Sequence, residues 1–111
     1  MTGELDLTRL AQLQPLLGSQ LPEIVTGLVR ELGVAIGELE RAVTAGDLDA
    51  AARAAHAARN SALMLDARPL LDALRELENA ARAGRSDPVA IGLVGLRAEW
   101  RQLLAGLEQL S

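Results

Sequence analysis

The chain holds one histidine, His56, inside the alanine-rich run from Asp49 to Leu63. Imidazole is the one side chain whose ordinary titration falls near neutral pH, so it can serve there as a mostly neutral nucleophile. Arg53 lies three residues before it and Arg59 three residues after it, with Asn60 one position further. Nearby positive charge disfavours a second positive charge on the ring, which keeps it nucleophilic. Guanidinium groups also hydrogen-bond phosphate oxygens well. A neutral imidazole between two arginines therefore suits acceptance of a phosphoryl group. The plainer reading is an ordinary surface histidine on a solvated polar face.

Helix geometry bears on that choice. At about 100° per residue, Asp49, Ala52, Arg53, Arg59, Asn60 and Leu63 fall within roughly 60° of His56. Ala51, Ala54, Ala58, Ser61, Ala62 and Leu65 fall on the opposite side, which is small and apolar and suited to close packing. The pattern predicts that His56 is exposed near the middle of its helix, with Ala52 and Leu63 beside it on a face open to a partner.

Five helical segments would have to position that face. The first spans roughly residues 5–17, with Asp6 as its N-cap, apolar Leu7, Leu10, Leu13 and Leu17, and Pro15 weakening its end. The second runs over about 20–45, with Pro22 in its first turn and Leu21, Ile24, Leu28, Leu32, Ala35, Leu39 and Ala42 as one stripe. Gly46 follows, where glycine commonly closes a helix in the left-handed conformation. The third starts at Asp47, a good N-cap, carries His56 and continues to about Leu65. Pro69 disfavours helix in the residue before it and marks the next break. The fourth covers about 69–83 with Leu70, Leu74, Leu77 and Ala81 inside. Asp87-Pro88 reads as a cap and a first-turn proline for the last, whose seam is Leu93, Leu96, Trp100, Leu103, Leu107 and Leu110.

Connections this short make neighbouring helices antiparallel. The expected fold is all-α: an antiparallel up-down-up-down four-helix bundle with a short N-terminal capping helix, one domain over residues 1–111. In the second helix, Gly33 and Gly37 lie opposite the leucine stripe, and each costs about 1 kcal/mol against alanine there. They would form a flat patch for a partner helix, or mark a site where the bundle tolerates glycine.

Composition narrows the function. Half the residues are apolar, and Trp100 is the only aromatic side chain of the Phe, Tyr and Trp set. With no cysteine and one histidine, neither a disulfide frame nor a thiolate or histidine-rich metal site is expected. No carboxylate cluster or glycine-rich phosphate loop is evident, so no metal and no cofactor are expected. A net charge of −4 argues against nucleic acid as the main partner. No apolar run reaches the roughly 18 residues of a membrane span, and the start lacks the pattern of a signal peptide. No membrane insertion and a cytoplasmic location are expected.

Several residues together carry a resemblance. The stretch Ala55-His56-Ala57-Ala58-Arg59-Asn60-Ser61, then Leu65-Asp66-Ala67, then Leu70, Leu74, Leu77-Glu78 and Ala81-Arg82, resembles the histidine-containing phosphotransfer (HPt) domain family. His56 matches the phosphorylated histidine, Arg59 the basic residue three positions on, and Ser61 the serine. Leu65 and Ala67 match the turn, while Leu77-Glu78 and Ala81-Arg82 match the next helix. Ala45-Gly46-Asp47 is similar to the lead-in. Asn60 stands where the family has glycine, Asp66 replaces the turn glycine, and Ala58 replaces a frequently larger apolar residue.

The resemblance implies a phosphocarrier rather than an enzyme. His56 would take a phosphoryl group from an aspartyl-phosphate on one response-regulator receiver domain and pass it to another, in two-component signalling. Arg59, and more weakly Arg53, would support the phosphate charge, and Asn60 would stand beside the imidazole. The receiver, or a hybrid sensor histidine kinase carrying one, would supply Mg²⁺ and the acidic pocket. The docking surface would lie on the second and third helices around Ala52, Leu63, Gly33 and Gly37. An HPt-like adaptor that binds a receiver or kinase without carrying phosphate is the alternative, and Asn60 is the feature that favours it. A complete apolar seam leads us to expect a monomer, and the initiating methionine and compact length a free-standing protein.

Overall fold

A computed structural model of the chain describes residues 20–109. The segment expected over 5–17, with its capping role, and Leu110 lie outside the described residues. Four α-helices account for the described part: α1 (Leu21–Ala45), α2 (Leu48–Met64), α3 (Arg68–Arg82) and α4 (Ser86–Glu108).

The three turns share one construction. Gly46, Asp66 and Gly84 each take positive φ, at 72°, 55° and 71°. The residue after each donates its N–H back five positions: Asp47 to the carbonyl of Ala42 at 2.9 Å, Ala67 to Ala62 at 3.0 Å, and Arg85 to Ala80 at 3.0 Å. This is the Schellman closure, which satisfies carbonyls that a helix end leaves unpaired. Asp66 manages it without glycine, because a short polar side chain tolerates the left-handed region, and Arg68 Nε donates to its Oδ1 at 3.0 Å. Asp47 also caps α2, accepting from the Ala50 N–H at 3.0 Å.

Two helix starts lie earlier in the chain than expected. α3 begins at Arg68 rather than Pro69, so Pro69 sits in its first turn. α4 begins at Ser86, which places Asp87 inside the first turn instead of at the cap. Its carboxylate still lies where the positive end of the helix dipole favours it.

Each helix packs on the next in sequence, whereas α1 and α4 meet only lightly. The core is one cluster built from Leu32, Leu39, Leu65, Leu70, Leu74, Leu77, Leu96 and Val89, all essentially sealed from water. The alanines of α2 give the other helices close access to it: Ala51, Ala55, Ala58 and Ala62 are fully buried. Such a surface leaves no slack. Ala62→Leu is expected to cost about 1–3 kcal/mol by overpacking, readable as a lowered midpoint in urea denaturation.

The stripe of α1 is buried only in part. Leu32, Ala35, Leu39 and Ala42 are inside, but Leu21 and Leu28 are half-buried and Ile24 is exposed. The reason is length. α1 has 25 residues and α2 has 17, so at about 1.5 Å per residue α1 outruns its neighbour by roughly 12 Å. Along α4, Leu93, Leu96 and Leu103 are buried, while Trp100 and Leu107 are half-buried.

Candidate phosphoacceptor site

His56 projects from the middle of α2, and its side chain is 60% exposed. The expected polar stripe is present but rotated. Asp49, Arg53, His56, Ala57, Asn60 and Leu63 are exposed, Arg59 is half-buried, and Ala52 is 4% exposed. The expectation that Ala52 lies on the open face is therefore corrected. The cause is α3, which covers the Ala52–Arg59 flank of α2 and brings Glu78 up to the histidine.

Glu78 is the centre of the site. It lies on the inner face of α3, between Leu74 and Ala81, and is 4% exposed. Its Oε2 lies 3.2 Å from His56 Nδ1. Arg59 Nη1 donates to Oε1 at 2.8 Å. Arg82, one turn further along α3, donates Nε to Oε2 at 2.9 Å and brings Nη2 to 2.8 Å of the same oxygen. Burial pushes the Glu78 carboxyl up. The hydrogen bonds from Arg59 and Arg82 and the charges of Arg59 and His56 outweigh it, so the group titrates below its ordinary 4.5.

An ionised carboxylate can only accept hydrogen bonds. The His56 contact is therefore a hydrogen bond only when Nδ1 carries the proton. In the neutral ring that assigns the lone pair to Nε2, the nitrogen not engaged by Glu78. The tautomer follows from the partner, as it usually does for histidine.

The two expected arginines separate. Arg59 is tied to Glu78, and its buried Nε has no hydrogen-bond partner among the described residues. Arg53 is exposed and makes no ion pair with a described residue. The expected imidazole between two arginines has a carboxylate beside it as well, and that carboxylate engages Arg59. Asn60 is exposed and makes no hydrogen bond to the imidazole. It instead lines a groove of about 470 Å³ between α1 and α2, with Arg30, Glu31, Val34, Glu38 and Ala57.

Leu63 is exposed, as expected for a docking face, and Met64 and Val34 are exposed too. The glycine patch is not open as expected. Gly33 and Gly37 are half-buried. A Cβ on Gly33 would stand 3.5 Å from the Trp100 ring, and one on Gly37 would stand 3.6 Å from Arg41 Nη1. Gly33 seats the indole where α4 crosses α1, and Arg97 Nε of α4 donates to Glu40 Oε2 of α1 at 2.6 Å.

Glu78 and Arg82 appear in the sequence reading only as part of the match to the next helix, yet Glu78 contacts the histidine and Arg82 contacts Glu78. A signal was available. A lone carboxylate on a stripe of leucine and alanine must find a partner when buried.

The sequence matches the Hpt domain family over residues 23–110. The chain belongs to that family, whose domains are helical bundles acting as phosphocarriers in histidine phosphotransfer, not as catalysts. Comparison with curated proteins returns no match, and comparison with solved structures returns none. No helix among the described residues is long and apolar enough to cross a membrane, and no group of metal-binding side chains occurs among them.

Proposed function

We propose that this chain is a phosphorelay intermediate with His56 as its phosphoryl acceptor. The observation that carries the reading is the exposed ring held through Nδ1 by a buried carboxylate, which leaves Nε2 as the nucleophile. Nε2 attacks the phosphorus of a receiver's aspartyl-phosphate. The Nε2–P bond forms, the P–O bond to the aspartate breaks, and the aspartate leaves as a carboxylate. No proton has to be removed from the attacking nitrogen. The ring becomes cationic with Nδ1–H still on Glu78, whose charge offsets it. Attack by the aspartate of a second receiver reverses these bond changes. The receiver supplies Mg²⁺ and the acidic pocket.

Arg53 supplies charge to the phosphoryl oxygens, being the neighbouring cation without a carboxylate. Its exposure keeps the contribution small, and Arg53→Ala is expected to slow acceptance up to about fivefold, measured as the initial rate of phosphotransfer. The receiver, free or part of a hybrid sensor histidine kinase, docks over the α1–α2 groove and the exposed Val34, Leu63 and Met64 beside it. Asn60 points into that groove, so it bears on which receiver fits rather than on the chemistry of the ring. The free Nε2 favours a carrier over an adaptor. A monomer in the cytoplasm suffices for this role. Incubation with a phosphorylated receiver tests it: one acid-labile, base-stable phosphate per chain is expected.

A further inference from the structure

Glu78 holds more donors than the histidine requires. A carboxylate offers about four acceptor positions. Four nitrogens crowd its two oxygens: Arg59 Nη1 at Oε1, and His56 Nδ1, Arg82 Nε and Arg82 Nη2 together at Oε2. The two arginines come from different elements. Arg59 belongs to the histidine's own helix and reaches only Oε1, the oxygen the ring does not use. Arg82 belongs to the helix of Glu78, at i+4, and converges with two donors on the oxygen that the ring does use.

This division matters because the terminal torsion of glutamate is broad and roughly two-fold. Arg59 is a flexible side chain that can follow Oε1, so its bond alone would let the carboxylate rock about that torsion and carry Oε2 away from Nδ1. The Arg82 guanidinium, with Nε and Nη2 both against Oε2, opposes that rocking. The cost to Arg82 is small, because its side chain lies at 57% exposure on the rim of the site and its stem stays within one helical turn of Glu78.

We propose that Arg82 is a positioning residue for the phosphoryl acceptor: by pinning Oε2 of Glu78 against His56, it keeps the ring proton on Nδ1 and the nucleophilic lone pair on Nε2. Arg82 acts only through Glu78. The inference rests on the reading of His56 as the acceptor, but its primary test needs no partner protein.

That test is the tautomer ratio of His56, read from the ring nitrogen shifts of the ¹⁵N-labelled chain at alkaline pH. The unaltered chain is expected to show the Nδ1–H form almost alone. Arg82→Gln should raise the Nε2–H population about tenfold, the scale of one charge-assisted hydrogen bond. Arg82→Lys keeps the charge but loses the two-donor convergence, and should fall between. Arg97→Gln, which removes the ion pair between α4 and α1, should leave the ratio unchanged, separating positioning from general loss of stability. The rate of His56 phosphorylation by phosphoramidate, which transfers its phosphoryl group to the ring and releases ammonia, should fall with the Nδ1–H population. A wild-type ratio in folded Arg82→Gln overturns the proposal. If that variant does not fold, a wild-type ratio in Arg82→Lys overturns it instead. A shifted ratio in a chain that no phosphorylated receiver labels sustains the role of Arg82 and sinks the phosphorelay reading alone.

Discussion

Replacing His56 with glutamine is expected to abolish phosphoryl labelling while leaving the fold in place. The side chain is 60% exposed and makes one hydrogen bond, to Glu78. Surface substitutions of this kind usually change stability by no more than about 0.5 kcal/mol. Glu78 would keep Arg59 and Arg82, so its charge would not be stranded. Helical circular dichroism and the denaturation midpoint should therefore match the unaltered chain, while the acid-labile, base-stable phosphate falls to background. No other side chain can stand in, because the chain holds no second histidine and no cysteine. Labelling of His56→Gln at the wild-type level sinks the assignment. Should neither protein take phosphate while both bind the same receiver, the adaptor reading replaces the carrier.

Glu78→Ala is the second large effect, and it should damage stability and transfer together. Removing one member of a buried ion network usually costs about 3–5 kcal/mol, because the remaining charges stay buried. Here the remaining charges are less confined. Arg59 is 32% exposed and Arg82 57% exposed, and both can recover water. We therefore expect about 2–3 kcal/mol, at or below the lower end of that range, read from chemical denaturation. Phosphoryl acceptance should fall about ten- to hundredfold in the folded fraction, since the charged hydrogen bond that assigns the tautomer is gone. Glu78→Gln keeps the shape and separates the effects. Its amide can either donate to or accept from Nδ1, so the fold should be less damaged and the tautomer no longer dictated.

The same carboxylate sets an acid limit. Its folded-state pKa lies below the ordinary 4.5, so the folded state binds protons less readily than the unfolded chain in that range. The stability from Glu78 is then fully present above about pH 4.5 and is lost as pH falls through the lower folded value. The difference in stability between the unaltered chain and Glu78→Gln should shrink steadily in that acid window. An unchanged difference down to the acid transition would show that Glu78 is not held as an ion.

Much of the fold is local and was readable without tertiary contacts. Asp47 caps its helix because a short acceptor precedes an alanine-rich run. Gly46 closes the helix before it because glycine accepts positive φ at little cost, and Asp66 does so for a related reason. The periodic leucines give the inner faces of α3 and α4 directly. His56 was legible as a candidate because there is only one, and because helix geometry placed it with arginines and opposite small residues.

What local pattern could not supply is which neighbour covers which edge of a helix. Ala52 and Leu63 both looked open from α2 alone, yet α3 buries the first and leaves the second exposed. Gly33 looked like part of a flat outer patch until α4 laid Trp100 against it. The decisive case is the histidine itself. The sequence placed Arg53 and Arg59 beside it, one turn away on the same helix. Only the return of α3 brought Glu78, 22 positions later, under the ring and Arg82 behind it. Contacts within a turn follow from periodicity, whereas a buried carboxylate of one helix meeting the imidazole and the Arg59 guanidinium of another depends on how the two pack. That packing gives His56, the proposed acceptor, a partner that assigns its tautomer.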